Sequence, residues 1–234
     1  REKSDIVFSL PKVDHHPFMQ ILFAAETRWE SVKTSLRYHQ GRYLWDALRG
    51  PTYREFVDCL PGLIKAHGVH LIAKSRPKHG NRHEDRIKAF AREYHSGADD
   101  EFYPQFTGCT ILARARCCLH IRTFSVMEAV LAGVPSLYFQ VPILEEADHP
   151  DPQTLRYVQL IRSGGPGTVF NYPGCVWNVP WAESVRFLRS LDLSRLEQDP
   201  EQRRHYVEKF CGIGPELGPS AAARQMDAIE EAFA

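Results

Sequence analysis

Residues 117–139 read CCLHIRTFSVMEAVLAGVPSLYF, and this stretch decides the fold. Residues 117–121 form a short apolar run fit for a buried parallel strand. Thr123 follows as a hydroxyl residue placed to cap a helix, in which Val126, Ala129 and Val130 supply a packing face. Gly133 and Pro135 stop that helix before a second strand over residues 136–139. Strand, crossover helix and strand make one βαβ unit. In an open parallel sheet, ligands bind beyond the carboxyl ends of the strands, where a helix N-terminus presents unpaired N–H groups with partial positive charge. Ser125 adds a hydroxyl there and Glu128 a carboxylate one turn deeper. That carboxylate repels phosphate but suits a diol. Phosphate at Thr123, Phe124 and Ser125 with a ribose near Glu128 is therefore a consistent nucleotide pose. An ordinary crossover helix with a hydroxyl cap and no ligand fits the same residues.

Upstream and downstream the pattern alternates strand and helix. Residues 19–25 (MQILFAA) read as a first strand, followed by a polar turn at Glu26, Thr27 and Arg28. Over residues 52–67, Phe56, Val57, Leu60, Leu63 and Ile64 recur at helical spacing, with Pro61 as a kink and Gly68 as the stop. Residues 69–73 read as the next strand, 84–95 as a charged amphipathic helix, Phe102 and Tyr103 as a short strand, and 110–116 as a short helix. Later segments read as a strand over 168–171, a helix over 181–191, and two helices near 200–210 and 220–233. Such alternation predicts an α/β fold, a Rossmann-like, doubly wound parallel sheet with right-handed crossovers and a helical C-terminus.

With 43% hydrophobic and 25% charged residues in 234, the chain can bury a full core. Its formal charge of zero gives no support for a general nucleic-acid partner. No apolar run approaches the roughly 20 residues that cross a bilayer, so a cytoplasmic protein without a transmembrane segment is expected. Six cysteines, at 59, 109, 117, 118, 175 and 211, lack metal-type spacing and read as reduced, mostly buried thiols; Cys117 and Cys118 point to opposite faces of their strand. Residues 1–18 are polar and contain proline, and read as a linker or remnant of a preceding domain; residues 19–234 then read as the Rossmann-like, nucleotide-binding domain. His79, His83, His95 and His149 read as surface residues, and Tyr172, Trp177 and Trp181 as core aromatics or the floor of a base or sugar pocket.

The exit of the strand over 69–73 is the second informative site. Lys74, Arg76 and Lys78 alternate around Pro77, so an extended segment aims three cations the same way beyond a strand end. A solvated charge run is the plainer account of those cations. In a doubly wound sheet this loop, the turn at Glu26, Thr27 and Arg28, and the turn at Thr123 open onto one edge, which favours an anion.

ILFAAETRW, LIAKSRPK and HIRTFSVMEAVLAGVPSLYF occur in this order. Together they make the chain resemble the C-terminal, donor-binding half of GT-B glycosyltransferases, similar to CDP-glycerol glycerophosphotransferases and to bacterial capsule and O-antigen polysaccharide transferases. In the family a His-Pro stands where Arg76-Pro77 stands here, and paired serines where Thr123 and Phe124 stand, with Ser125 one place later. The resemblance implies that Lys74 and Arg76 contact donor phosphate or sugar, that Thr123 and Ser125 hold the pyrophosphate, and that Glu128 meets the ribose. Thr27, Arg28, Lys78 and Phe124 complete the expected donor site, and Arg76, Arg122 and His120 are the candidates for a direct catalytic role. For His120 a packed strand histidine is the plainer reading, while Arg122 is better placed to reach a phosphate.

The implied reaction is metal-independent transfer of a sugar or polyol phosphate from a nucleoside mono- or diphosphate donor to a glycan or lipid-linked acceptor, in polysaccharide or glycoconjugate synthesis. Helix N–H groups and fixed cations stabilise the leaving nucleotide; losing one such contact costs about 2.7–4 kcal/mol of barrier. No metal or other cofactor is expected beyond the donor substrate. The resemblance also implies a partner N-terminal GT-B half that supplies the acceptor site, and contact with the inner face of the membrane through the acceptor. Two alternatives stay open: a non-hydrolysing sugar-nucleotide epimerase, and a degenerate Rossmann-like interaction module without catalysis.

Overall fold

The computed structural model describes residues 4–10, 26–39, 43–75, 83–96, 107–121, 123, 125–141 and 165–212. At its centre six strands run parallel: β1 (Asp5–Ser9), β2 (His70–Ser75), β3 (Glu93–Ser96), β4 (Ala115–His120), β5 (Ser136–Gln140) and β6 (Val176–Pro180). Their order across the sheet is β3-β2-β1-β4-β5-β6. Helices cover both faces, as the alternating pattern predicts, and the fold is α/β and Rossmann-like. The order reverses between β1 and β4, which marks the crevice beyond their carboxyl ends as the place where ligands bind in such sheets.

The central strand is the largest departure from the sequence reading. Asp5–Ser9 pairs with both β2 and β4 and is buried throughout. The linker assigned to residues 1–18 therefore does not hold over this segment. Its Ile6, Val7 and Phe8 are an apolar run fit for a strand covered on both faces, obscured by charged and proline-rich neighbours. Residues 19–25, read as the first strand, lie outside the described residues, as do Phe102, Tyr103 and residues 220–233.

One face of the sheet packs on α3 (Tyr53–His67) and α7 (Ser184–Ser190), around Phe8, Phe56, Leu60, Leu119, Phe139 and Trp181. Helix α3 follows its sequence signals closely. Thr52 and Glu55 form a capping box, Gly68 closes the other end at φ 61°, and the helix continues through Pro61 without a break. The opposite face packs on α5 (Thr107–Arg114), α6 (Ser125–Leu131) and α8 (Pro200–Tyr206). As read, Cys117 and Cys118 point into these two different cores. Burial pushes the Cys117 thiol up to about 12, in keeping with an inert packed residue. The described cysteines, Cys59, Cys117, Cys118, Cys175 and Cys211, are all free.

Three further segments differ from expectation. The helix read over residues 84–95 is only α4 (Glu84–Lys88), after which Glu93–Ser96 pairs with β2. The open edge of β2 offers hydrogen bonds that override the local helical pattern. Residues 168–171 make an isolated bridge in a turn, and the strand there is instead Val176–Pro180. The helix read over 181–191 begins as a 3-10 turn, Trp181–Glu183, before α7. His83 is fully buried rather than at the surface, with its ring edge-on to Tyr53 at 5.2 Å. Trp181 belongs to the core, its indole N–H donating to the Pro51 carbonyl at 2.8 Å. Among the described residues no helix is long and apolar enough to cross a membrane.

Candidate functional site

Residues at one level of the sheet define the site. Ser9 is the register partner of Lys74 on one side and of His120 on the other; His120 pairs in turn with Tyr138, and Tyr138 with Asn178. Register partners in a parallel sheet share a face. Two residues earlier stand Ile72, Val7 and Cys118, which pack in the core beneath α5 and α6. The polar row therefore lies on the α6 side, at the carboxyl ends of the strands, across the reversal of strand order.

Helix α6 rises beneath this row and completes it. Lys74 Nζ lies 3.8 Å from Glu128 Oε2. His120 Nδ1 lies 3.2 Å from Ser125 Oγ, and Ser125 Oγ lies 3.0 Å from Thr123 Oγ1, which also accepts from the Ser125 N–H at 3.3 Å. The result is a cation–carboxylate pair beside an imidazole and two hydroxyls that are joined to one another. Lys74, His120, Thr123, Ser125 and Glu128, singled out in two separate stretches of sequence, are thus brought together.

His120 is buried, and burial, helped by the Lys74 cation, pushes its pKa down to about 3. Its ring is neutral at neutral pH. Nδ1 is occupied by Ser125, and Nε2 is enclosed without a hydrogen-bond partner among the described residues. A neutral ring so held orients the Ser125 hydroxyl. It supplies no charge to an anion.

Thr27 and Arg28 stand at the same edge but hold other partners. Thr27 Oγ1 accepts from the Glu30 N–H at 3.3 Å, and Glu30 Oε2 accepts from the backbone N–H groups of Glu26 and Thr27, capping α1 (Arg28–His39). Arg28 pairs with Glu55 at 3.2 Å in the first turn of α3. Arg54, Asp58, Glu26 and Arg86 continue that charge network. Arg76, Lys78, Arg122 and Phe124 lie outside the described residues. Ser9 and Tyr138 escaped the sequence reading. Ser9 was hidden by the linker assignment, although a serine closing the run Ile6, Val7, Phe8 is the signal that marks a strand end.

A cleft of about 340 Å³ opens at the opposite edge of the sheet, between Arg116, Glu197, Gln198 and Arg203. Its two guanidinium groups already serve the fold. Arg203 donates to the Val130 and Leu131 carbonyls at the end of α6, and Arg116 to the Leu193 carbonyl. The carboxyl edge, where a cation, a carboxylate, two hydroxyls and an imidazole converge at the reversal of strand order, is the stronger site.

A scan of the sequence against protein-family models finds no match, and a comparison with curated proteins finds none.

Proposed function

We propose that this chain is the donor-binding domain of a GT-B-like glycosyl or polyol-phosphate transferase, and that its ligand is a nucleotide-activated sugar or polyol. The observation that carries this reading is the Lys74–Glu128 contact beside the Thr123–Ser125 hydroxyl pair, at the reversal of strand order. A cation next to hydroxyl donors fits a pyrophosphate, and a carboxylate one turn further along the helix fits the ribose diol. The ordered motifs of the sequence support the same assignment.

In the proposed reaction the bond between the transferred group and the nucleotide phosphate breaks, and a new bond forms to the acceptor oxygen. Negative charge grows on the leaving nucleotide. Lys74 is positioned to meet that charge, and Thr123 and Ser125 to donate to the phosphate oxygens. His120 holds the Ser125 hydroxyl in place. Proton removal from the acceptor falls to the N-terminal half implied by the resemblance.

The test is thermal shift and calorimetry against UDP, CDP, GDP, ADP, CMP and UMP, with Lys74→Ala and Glu128→Ala alongside. One nucleotide is expected to stabilise the wild type and neither variant. Silence across the panel from folded protein overturns the reading and leaves the interaction module in its place.

A further inference from the structure

Four of the exposed large hydrophobic side chains, Trp29, Leu36, Trp45 and Leu48, sit on two adjacent helices, α1 and α2 (Leu44–Arg49). Trp29 is 63% exposed and Trp45 68%, unusual for the side chain with the most apolar surface to hide. Their placement follows helical spacing. On α1 the buried residues are Ser31, Val32 and Ser35, whereas Trp29, Lys33, Leu36 and Arg37 form the outward stripe at i, i+4, i+7 and i+8. On α2, Ala47 is buried and Trp45, Leu48 and Arg49 face outward.

Each tryptophan carries a cation one turn along. Lys33 Nζ lies 5.4 Å from the centre of the Trp29 ring, and the Arg49 guanidinium lies 5.1 Å from that of Trp45. The carboxylates of the two helices do not balance these charges on the outward face. Glu30 is turned back to cap α1, and Asp46 is half-buried.

The geometry points to this helix pair as a docking surface for an anionic lipid bilayer. Tryptophan is the side chain that settles at the headgroup boundary, with an apolar body and one N–H donor. Lys33 and Arg49 meet the lipid phosphates, and Leu36 and Leu48 enter below them. A protein interface fits less well, because lysine is depleted from the cores of such interfaces. A second copy of the same face would set Lys33 and Arg49 against their own images. The surface borders the carboxyl edge of the sheet, since Arg28 at the start of α1 pairs with Glu55 at the start of α3. Docking depends only on the helix pair, and it stands or falls separately from nucleotide binding.

Cosedimentation tests it with the 234-residue chain, using vesicles of phosphatidylglycerol with phosphatidylethanolamine and, separately, of phosphatidylcholine. Binding is expected to the anionic vesicles, weakened by salt, with a blue shift of tryptophan emission. Lys33→Glu with Arg49→Glu is expected to lower affinity by at least about fivefold per cation removed. Trp29→Ser with Trp45→Ser is expected to abolish the emission shift, while circular dichroism confirms that both variants fold. Equal binding to neutral vesicles, binding unchanged in either variant, or no vesicle binding overturns the proposal. Loss of a wild-type dimer on removing the tryptophans, without vesicle binding, assigns the surface to self-association instead.

Discussion

Lys74 and Glu128 reach each other at 3.8 Å although β1 separates the strand that carries Lys74 from the strand that leads into the helix carrying Glu128. The contact therefore spans the reversal of strand order and closes over the end of β1, where Ser9 is in register with both Lys74 and His120. An ion pair with one partner 61% exposed adds little to stability. Its position at the mouth of the crevice is what makes it informative.

Glu128→Gln is accordingly expected to leave unfolding free energy within about 1 kcal/mol of wild type. The same change is expected to weaken the stabilising nucleotide about 10–100-fold, the worth of a hydrogen bond to a charged group. Lys74→Met, which keeps the apolar stem, is expected to weaken a diphosphate more than a monophosphate. Urea titration with and without ligand measures both effects.

His120 makes stability depend on pH. Its folded pKa of about 3 lies below the ordinary value of 6.5, so between those limits the unfolded chain binds the extra proton. Stability is then complete above pH 6.5 and falls as the pH drops toward 3. His83, also held low by burial, acts in the same direction. His120→Asn is expected to flatten the acid slope by up to about 1.36 kcal/mol per pH unit, seen in urea midpoints between pH 4 and pH 7.

At Glu93 the sign is that of a carboxylate. Hydrogen bonding to Arg114, at 2.8 and 2.7 Å, holds its pKa down at about 2 against an ordinary 4.5. The stabilisation is present above pH 4.5 and is lost as the pH falls through 2. Arg114→Gln is expected to lower stability at neutral pH and to reduce the further loss on going from pH 4.5 to pH 2, as thermal melts across that range will show.

Local signals carried most of this architecture. The capping box at Thr52 and Glu55, the left-handed Gly68, and the strand and helix that end at His120 and begin at Ser125 are each written in adjacent residues, and each folds as its residues direct. What failed depended on partners distant in sequence. β1 is recognisable as central only because β2 and β4 flank it, and β3 exists because β2 leaves an edge to pair with. At the site, Lys74, His120, Ser125 and Glu128 could be singled out by residue type and spacing. Ser9 closes a legible apolar run, but its place beside Lys74 and His120 comes from the register of the sheet, which no local pattern encodes.

Trp181 ties the 3-10 turn after β6 to the residue before the Thr52 cap. Its indole donates to the Pro51 carbonyl at 2.8 Å, and its ring lies 5.2 Å from Phe56. Trp181→Phe keeps the aromatic contact but leaves that carbonyl without its donor, at an expected cost of about 1–3 kcal/mol. Trp181→Ala adds a large cavity and is expected to cost about 3–5 kcal/mol. Equal costs in urea unfolding would mean that the hydrogen bond, rather than the packing, dominates.

Two glycines respond oppositely to a methyl group. Gly62 lies inside α3 with open space around the position a Cβ would take, so Gly62→Ala is expected to stabilise by about 0.5–1 kcal/mol. Gly174 has φ 72°, and a Cβ there would stand 2.8 Å from the Asp199 Cβ. Asp199 cannot easily retreat, because it caps α8 through the N–H groups of Glu201 and Gln202 while its own N–H donates to the Gly174 carbonyl. Gly174→Ala therefore combines left-handed strain with displacement of a cap, and a loss of about 2 kcal/mol or more is expected. Calorimetric melts of the two variants give opposite signs if β6 and α8 are locked together through this contact; a stable Gly174→Ala protein would show that the two segments move apart freely.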